Sequence, residues 1–335
     1  MKIALLTRYY DMRNAGIGRV SFEVLKGLLE RGHFVTPISD AADTIPGYFK
    51  YCLYGIRNKI PKGCQVYHAL TPGESLWLPK DKSVVTIYDM ILTAHPERAG
   101  ATANKSKYNR FMGQLGFKIV TRAAARCRHI ITISDESKND IVYYLNVPPE
   151  KVSVVRLGIP EYLRPERYRH NGYRIGYLGQ LDHRKRVELL INAFHQTTSN
   201  DLELVIAGIG VDEKKLRELA GDDERIHFIG FVPEDRLNDF YNCLDLFVFP
   251  TAMEGYGLPL VEAMACKIPV VVLDDAIIPL DVKNRCCVVS KNALPEVLNG
   301  NVKFMADLNS NFQFAREHSW NKCVEAYEGI YEKMS

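Results

Sequence analysis

LFVFPTAMEGYGLPLVEAMACKIPVVVL, residues 246–273, holds an apolar run, a glycine-rich loop, a helix start and a second apolar run. Leu246–Phe249 and Val270–Leu273 are short and apolar on both faces, the pattern of parallel strands buried within a sheet. Pro259 suits the first helical position, where its missing N–H would go unpaired anyway, and Gly257 permits a tight entry turn. Strand, loop, helix and strand make a βαβ unit, in which ligands settle beyond the carboxyl end of the first strand.

Two glutamates, Glu254 and Glu262, frame that helix start with seven residues between them. The amides and dipole of a helix N-terminus favour an anion, so a diphosphate fits against Gly255, Tyr256, Gly257 and Leu258. A carboxylate beside a diphosphate has a different task. Each accepts two hydrogen bonds from neighbouring hydroxyls, which suits Glu262 to a ribose diol and Glu254 to the hydroxyls of a transferred sugar.

Outward from this unit the same alternation repeats. Lys2–Thr7, Val84–Ile87, His129–Ile133 and Val152–Val155 read as strands in the first half; Arg174–Leu178, Leu202–Ala207 and Ile226–Phe228 join the two above in the second. Two doubly wound α/β units result, separated by Leu157–Gly172, which is rich in proline, glycine and charge. Two domains suit 335 residues. The expected boundaries are 1–160 and 161–319, with the helix 320–335 packing back on the first domain and a cleft between the two.

Other strand ends carry polar groups. After Arg174–Leu178 stand the consecutive cations Arg184, Lys185 and Arg186; Lys185, then Arg184, is placed to neutralise a departing diphosphate. Gly16-Ile-Gly18-Arg19 precedes an expected helix from Ser21 to Glu30, where backbone can approach a ligand closely. It lacks the three spaced glycines of a dinucleotide-binding fingerprint, which disfavours a nicotinamide dehydrogenase. His68 and Tyr88-Asp89 end two further strands and are candidates for an acceptor side, with Asp89 the better acid. Ser134 ends another, where a helix N-cap explains it as well as an acceptor contact does.

A net charge of +3 is too small for a dedicated nucleic-acid binder. The eight cysteines show no C-x-x-C pair, and no D-x-D or His/Cys cluster has metal-ligand spacing, so reduced thiols, no metal and no cofactor are expected. The opening residues lack a secretory pattern and no run is long enough to span a bilayer, which points to a cytoplasmic protein. In the basic stretch 105–128, Lys118, Arg122 and Arg126 recur four apart beside Leu115 and Ile119, with Lys107 and Arg110 upstream. An ordinary solvated face and a face for peripheral contact with anionic membrane both fit.

Together these motifs resemble the retaining GT-B glycosyltransferases of the sucrose-synthase and mannosyltransferase-like family, also described as glycosyl transferases group 1. The resemblance runs from Gly16 to Trp320 and is most specific in Gly230-Phe-Val-Pro233 through Tyr241, Glu254-Gly-Tyr-Gly-Leu-Pro259 and Glu262-Ala-Met-Ala. It implies two Rossmann-like domains facing across a cleft, with a UDP- or GDP-linked sugar on the second: Lys185 and Arg184 on the diphosphate, Glu262 on ribose, Glu254 on the sugar, and the base against Phe231 and Val232. It also implies that Gly16, Gly18 and Arg19 form a glycine loop over the donor, and that His68 and Asp89 face a glycan, lipid-linked or small-molecule acceptor. Transfer would proceed with retention, without metal. Departures are Gln180 where an arginine is usual, Tyr88 where a histidine is usual, and Lys267 where a glycine is usual. A catalytically silent sugar-nucleotide-binding subunit and a sugar-nucleotide epimerase remain as alternatives.

Overall fold

The computed structural model of the chain describes residues 1–10, 15–39, 50–97, 107–166, 168, 170–300 and 307–334. They form two units, one of Met1–Pro96, Asn104–Gly158 and His318–Ser335 and the other mainly of Ile159–Glu317.

In the first unit the strands are β1 (Lys2–Leu6), β2 (Phe34–Ile38), β3 (Val66–Ala69), β4 (Ser83–Thr86), β5 (His129–Thr132) and β6 (Val152–Val154). They lie parallel in the order β2-β1-β3-β4-β5-β6. Every residue of β3 and β4 is buried, as expected of strands covered on both faces. Helices α1 (Ala15–Glu30), α2 (Lys107–Ala124) and α3 (Asp135–Leu145) follow β1, β4 and β5. The terminal helix Trp320–Glu332 packs on α1. Ser319 caps it, its Oγ accepting from Lys322 N at 3.2 Å, and Arg31 Nη1 donates to Glu328 Oε2 at 2.9 Å.

The second unit repeats the design with β7 (Tyr173–Leu178), β8 (Leu202–Ala207), β9 (Ile226–Gly230), β10 (Leu246–Phe249), β11 (Val270–Leu273) and β12 (Cys287–Val289). Their order is β12-β11-β10-β7-β8-β9, all parallel. The chain therefore builds outward to one side after β7 and to the other after β10. The gap between the loops leaving these two strands is the topological switch point, where a doubly wound sheet presents its ligand site. Helices α4 (Val187–Phe194), α5 (Glu213–Ala220), α6 (Leu237–Asn242) and α7 (Leu258–Ala265) flank this sheet.

Helix α7 ends in a Schellman motif: Ile268 N donates to Ala263 O at 3.0 Å and Lys267 N to Met264 O at 3.0 Å. The motif puts Lys267 in the left-handed region, at φ 57°, which costs a residue with a Cβ about 1 kcal/mol or more. Its Nζ donates to Asn309 Oδ1 at 2.8 Å and lies 5.1 Å from the Phe312 ring centroid, offsetting part of that cost. Lys267→Gly is expected to raise stability by roughly 0.5–1 kcal/mol, measured by denaturant unfolding; a decrease would mean that the surface contacts outweigh the strain.

Candidate functional site

The loops leaving β7 and β10 carry the densest charge of the second unit. After β7, Asp182 caps a 3-10 turn over His183–Lys185, its Oδ1 accepting from Lys185 N at 3.2 Å. This turn aims Lys185 inward, where 7% of the residue is exposed. Its Nζ donates to Glu254 Oε1 at 2.6 Å and stands 4.8 Å from the centre of the Phe249 ring. Arg184 Nη1 donates to the same Oε1 at 3.1 Å and to Met253 O at 2.8 Å. Thr251 Oγ1 donates to it as well, at 2.7 Å. All three donors converge on Oε1, so among the described residues Oε2 is the oxygen of Glu254 left to meet a ligand hydroxyl.

Burial works against the charge of Glu254, but Lys185 and Arg184 outweigh it and hold the carboxyl below its usual range. Burial likewise pulls Lys185 below the ordinary lysine range, with Glu254 opposing the pull and Arg184 adding to it. The two form a largely buried ion pair, which can offer a cation to an anionic ligand and a carboxylate oxygen to hydroxyls.

Backbone bonds lace the loop after β10 to its neighbours, through Ala252 to the loop after β7 and through Ile277 to the loop after β11. Ala252 N donates to Arg184 O at 2.8 Å, Glu254 N to Ile277 O at 2.8 Å and Ile277 N to Ala252 O at 3.0 Å. The loop after β8 presses against the one after β7: a Cβ on Gly208 would lie 1.8 Å from Gly179 O, so only glycine fits.

Helix α7 opens from Gly257, at φ 92°, where a Cβ would also meet Leu260 Cδ1 at 2.9 Å. Leu258 is the first helical residue and Pro259 the second, one place later than the sequence suggests. Leu260 N closes back on Gly257 O at 2.9 Å. Among the described residues, the amides of Gly255, Gly257 and Leu258 donate to no protein acceptor, and they accompany the positive end of the helix dipole. Tyr256 is turned inward, 3% exposed. Glu262 lies in the body of α7, 1% exposed, where Oε2 accepts from Tyr241 Oη at 2.7 Å. The structure thus brings Lys185, Arg184, Glu254, Gly255, Gly257, Leu258 and Glu262 to the switch-point loops and the helix that leaves them. Phe231, half exposed, and Val232 follow β9 and line a groove of about 790 Å³ with His227, Ile229 and Phe240. That groove includes neither Lys185 nor Glu254.

The remaining sequence candidates belong to the first unit. Gly16, Gly18 and Arg19 do not form a loop ahead of a helix starting at Ser21; the helix begins at Ala15 and takes all three into its opening turns. The two glycines are weak helix formers, which moved the sequence estimate of the start downstream. His68 is fully buried in β3: Nδ1 is 2.6 Å from Tyr331 Oη, Nε2 is 2.9 Å from Thr86 Oγ1, and burial lowers its pKa to about 3. Both ring nitrogens serve the core, and the ring stays neutral. The Tyr88 hydroxyl is buried with no hydrogen-bond partner among the described residues, and burial pushes its pKa up. Asp89 Oδ1 accepts from Ile91 N at 3.0 Å. Ser134 caps α3, Oγ accepting from Ser137 N at 3.1 Å, as a capping serine should. In α2, Leu115, Lys118, Ile119 and Arg122 are exposed, as is Arg126 in the turn that follows; residues 105–106 and the side chains of 107–112, Lys107 and Arg110 among them, lie outside the described residues.

Sequence reasoning missed Thr251, Tyr241 as the partner of Glu262, and Asp275. No local signal marks Asp275, because its partner Arg186 is 89 positions away: Arg186 Nη1 reaches Asp275 Oδ2 at 2.8 Å and Nη2 reaches Oδ1 at 2.9 Å. These bonds, with help from Lys291, lower Asp275 to about 2. Its folded pKa is depressed relative to about 3.9 in the unfolded chain, so its stabilisation is present above pH 4 and is lost as pH falls towards 2. At a partly exposed pair, solvent screening limits this to at most about 2 kcal/mol. Asp275→Asn is expected to flatten that limb in unfolding free energies measured from pH 4 to 2; an unchanged slope would deny the pair this role.

Residues 159–293 match the family of glycosyl transferases group 1. The chain is 26% identical over 299 residues to the O-antigen chain mannosyltransferase B of Escherichia coli, covering 80% of this chain and 74% of that one. Its fold is GT-B. It superposes on WaaG, a glycosyltransferase involved in lipopolysaccharide biosynthesis, with a TM-score of 0.76 at 16% identity, covering 98% of this chain and 99% of that one. Against Anabaena Alr3699/HepE, crystallised with UDP and glucose, the TM-score is 0.71 at 15% identity, with coverage of 99% and 100%. Among the described residues no group of His, Cys, Asp and Glu is placed to hold a metal ion, and no helix is long and apolar enough to cross a membrane.

Proposed function

We propose that this chain, a glycosyltransferase belonging to the glycosyl transferases group 1 family through residues 159–293, moves a hexose from a UDP- or GDP-linked donor to a hydroxyl of a glycan or lipid-linked acceptor in polysaccharide biosynthesis. The observation that carries this is the convergence of Lys185 and Arg184 on Glu254 beside the open amides of α7, at the switch point of the second sheet. A diphosphate there meets two cations and a helix N-terminus, with Glu254 facing the sugar and Glu262 the ribose. The mannosyl activity named for the E. coli relative and the UDP and glucose in the HepE crystals support the same donor class.

In the proposed reaction the bond from the anomeric carbon to the diphosphate oxygen breaks, and the bond to the acceptor oxygen forms on the same face, so configuration is retained. The acceptor proton passes to the departing diphosphate, which leaves with the bonding electron pair. No protein nucleophile takes part. Lys185, Arg184 and the α7 amides stabilise the charge developing on the leaving group, a role that makes the reaction independent of metal. Incubation with UDP-glucose and GDP-mannose in the presence of EDTA is expected to release nucleoside diphosphate, and the product to keep the donor's anomeric configuration by NMR. Inverted product would overturn the mechanism. Binding without cleavage would favour a silent donor-binding subunit, and a changed sugar without acceptor an epimerase.

A lipid-linked acceptor is suggested by the exposed face of α2, where Leu115 and Ile119 stand beside Lys118 and Arg122, with Arg126 just beyond the helix end. Such a face places apolar groups at the headgroup boundary and cations against anionic lipid. Each cation contributes about 1 kcal/mol near such a surface. Lys118→Glu with Arg122→Glu is therefore expected to lower co-sedimentation with phosphatidylglycerol vesicles by at least roughly tenfold; equal binding to phosphatidylcholine would deny the surface this role.

A further inference from the structure

Three non-glycine residues among those described have positive φ: Asn146, Arg186 and Lys267. Asn146 and Lys267 end α-helices, and at Lys267 the left-handed turn closes the last carbonyls. Arg186, at φ 53° and ψ 37°, closes the 3-10 turn His183–Lys185, its N donating to His183 O at 3.3 Å, and also stands at the start of α4, where its side chain makes no cap. Strain of this kind persists where surrounding contacts over-determine it, and it concentrates at functional sites.

Those contacts are specific. The Arg186 guanidinium donates from Nε to Pro250 O at 2.8 Å and from Nη2 to Thr251 O at 2.7 Å. Its other bonds form the two-pronged pair with Asp275 described above. One planar group thus ties together the loops that leave β7, β10 and β11. Its backbone follows Lys185 directly, and the carbonyls it grips belong to the residues leading into Glu254. Lys291 Nζ reaches Asp275 Oδ2, the oxygen that also accepts from Arg186 Nη1, at 3.1 Å.

We infer that Arg186, held by Asp275, is a positioning residue for transfer: it sets the separation of Lys185 from the Thr251–Glu254 loop, and so aims the cation that the departing diphosphate needs. This rests on the donor site proposed above. The left-handed turn strains any residue with a Cβ, and here an arginine occupies it with a guanidinium that bridges three loops. A lysine has a single ammonium and cannot form the fork.

The test compares Arg186→Gly, Asp275→Asn, their double variant and Lys185→Ala in the full chain. The readouts are kcat and donor KM from nucleoside diphosphate release with UDP-glucose and GDP-mannose, and melting temperature. Glycine removes the strain together with the clamp, so Arg186→Gly is expected to melt within a few degrees of the parent yet lose roughly tenfold to a hundredfold in kcat, with donor KM little changed. Misplacing a group that acts in the transition state has this signature. Asp275→Asn is expected to lower kcat in the same sense, and the double variant to be no slower than Arg186→Gly alone, because both act through one contact. Wild-type kcat in Arg186→Gly and Asp275→Asn, or losses that multiply in the double variant, would overturn the inference while leaving the donor site intact, provided Lys185→Ala slows turnover by about a hundredfold or more. Should Lys185→Ala also turn over normally, the donor site falls and the inference with it. If Arg186→Gly fails to fold, Asp275→Asn decides alone.

Discussion

Lys185→Ala is expected to lower kcat/KM for the donor by about a hundredfold to a thousandfold, the cost of removing one preorganised partner of a developing oxyanion. Lys185 is 7% exposed and its ammonium stands 4.8 Å from the centre of the Phe249 ring, so it acts at short range with little water to screen it. Its removal leaves Glu254 with Arg184 and Thr251, and the carboxylate is not stranded in the interior. Glu254→Gln is the harsher change for the fold. It keeps the size of the side chain but leaves a buried lysine without its anion, a loss expected to cost several kcal/mol in stability. Melting temperature and kcat/KM measured together separate the two effects. A Lys185→Ala protein that folds and transfers at the parent rate would remove the cation from the mechanism.

Glu262→Ala carries the second large effect, and it should fall on donor binding. A carboxylate that accepts from two ribose hydroxyls makes charged hydrogen bonds of about 1.5–3 kcal/mol each. Donor KM is therefore expected to rise by ten to a hundredfold or more, with a smaller change in kcat, because the ribose is not where charge develops. The same substitution leaves the Tyr241 hydroxyl, now bonded to Oε2 at 2.7 Å, buried without its acceptor, costing about 1–3 kcal/mol of stability. Tyr241→Phe tests this from the other side: it should loosen the carboxylate and raise donor KM, though less than loss of Glu262 does. Unchanged KM in Glu262→Ala would detach the ribose from this residue.

Elements that are fully or mostly buried were legible in the sequence. Leu202–Ala207, Leu246–Phe249 and Val270–Leu273 are strands in the structure with the bounds their apolar runs suggested. The two strands that went unread, β2 and β12, lie at sheet edges. β2 carries Pro37 and is largely exposed, and β12 has only three residues, with Val288 open to solvent. Neither shows the burial that makes an apolar run. At the site, residue identity was readable and geometry was not. Glycines, a proline and two acids mark a helix start whatever surrounds it, but three adjacent cations look like solvated surface until the turn capped by Asp182 buries Lys185 and points Arg186 towards Asp275. Those directions depend on a left-handed residue and on a partner far along the chain, neither of which leaves a local pattern. His68 shows the opposite limit. A strand-end histidine resembles an active-site residue until its partners, Thr86 and a tyrosine from the terminal helix, are known.

A structure of the protein crystallised with UDP, and with GDP in parallel, tests the donor site most directly. The pyrophosphate is expected against the amides of Gly255, Gly257 and Leu258, with Lys185 Nζ drawn within hydrogen-bond distance of a phosphate oxygen and Glu262 on the ribose hydroxyls. A nucleotide bound elsewhere, with the Lys185–Glu254 pair undisturbed, would contradict it.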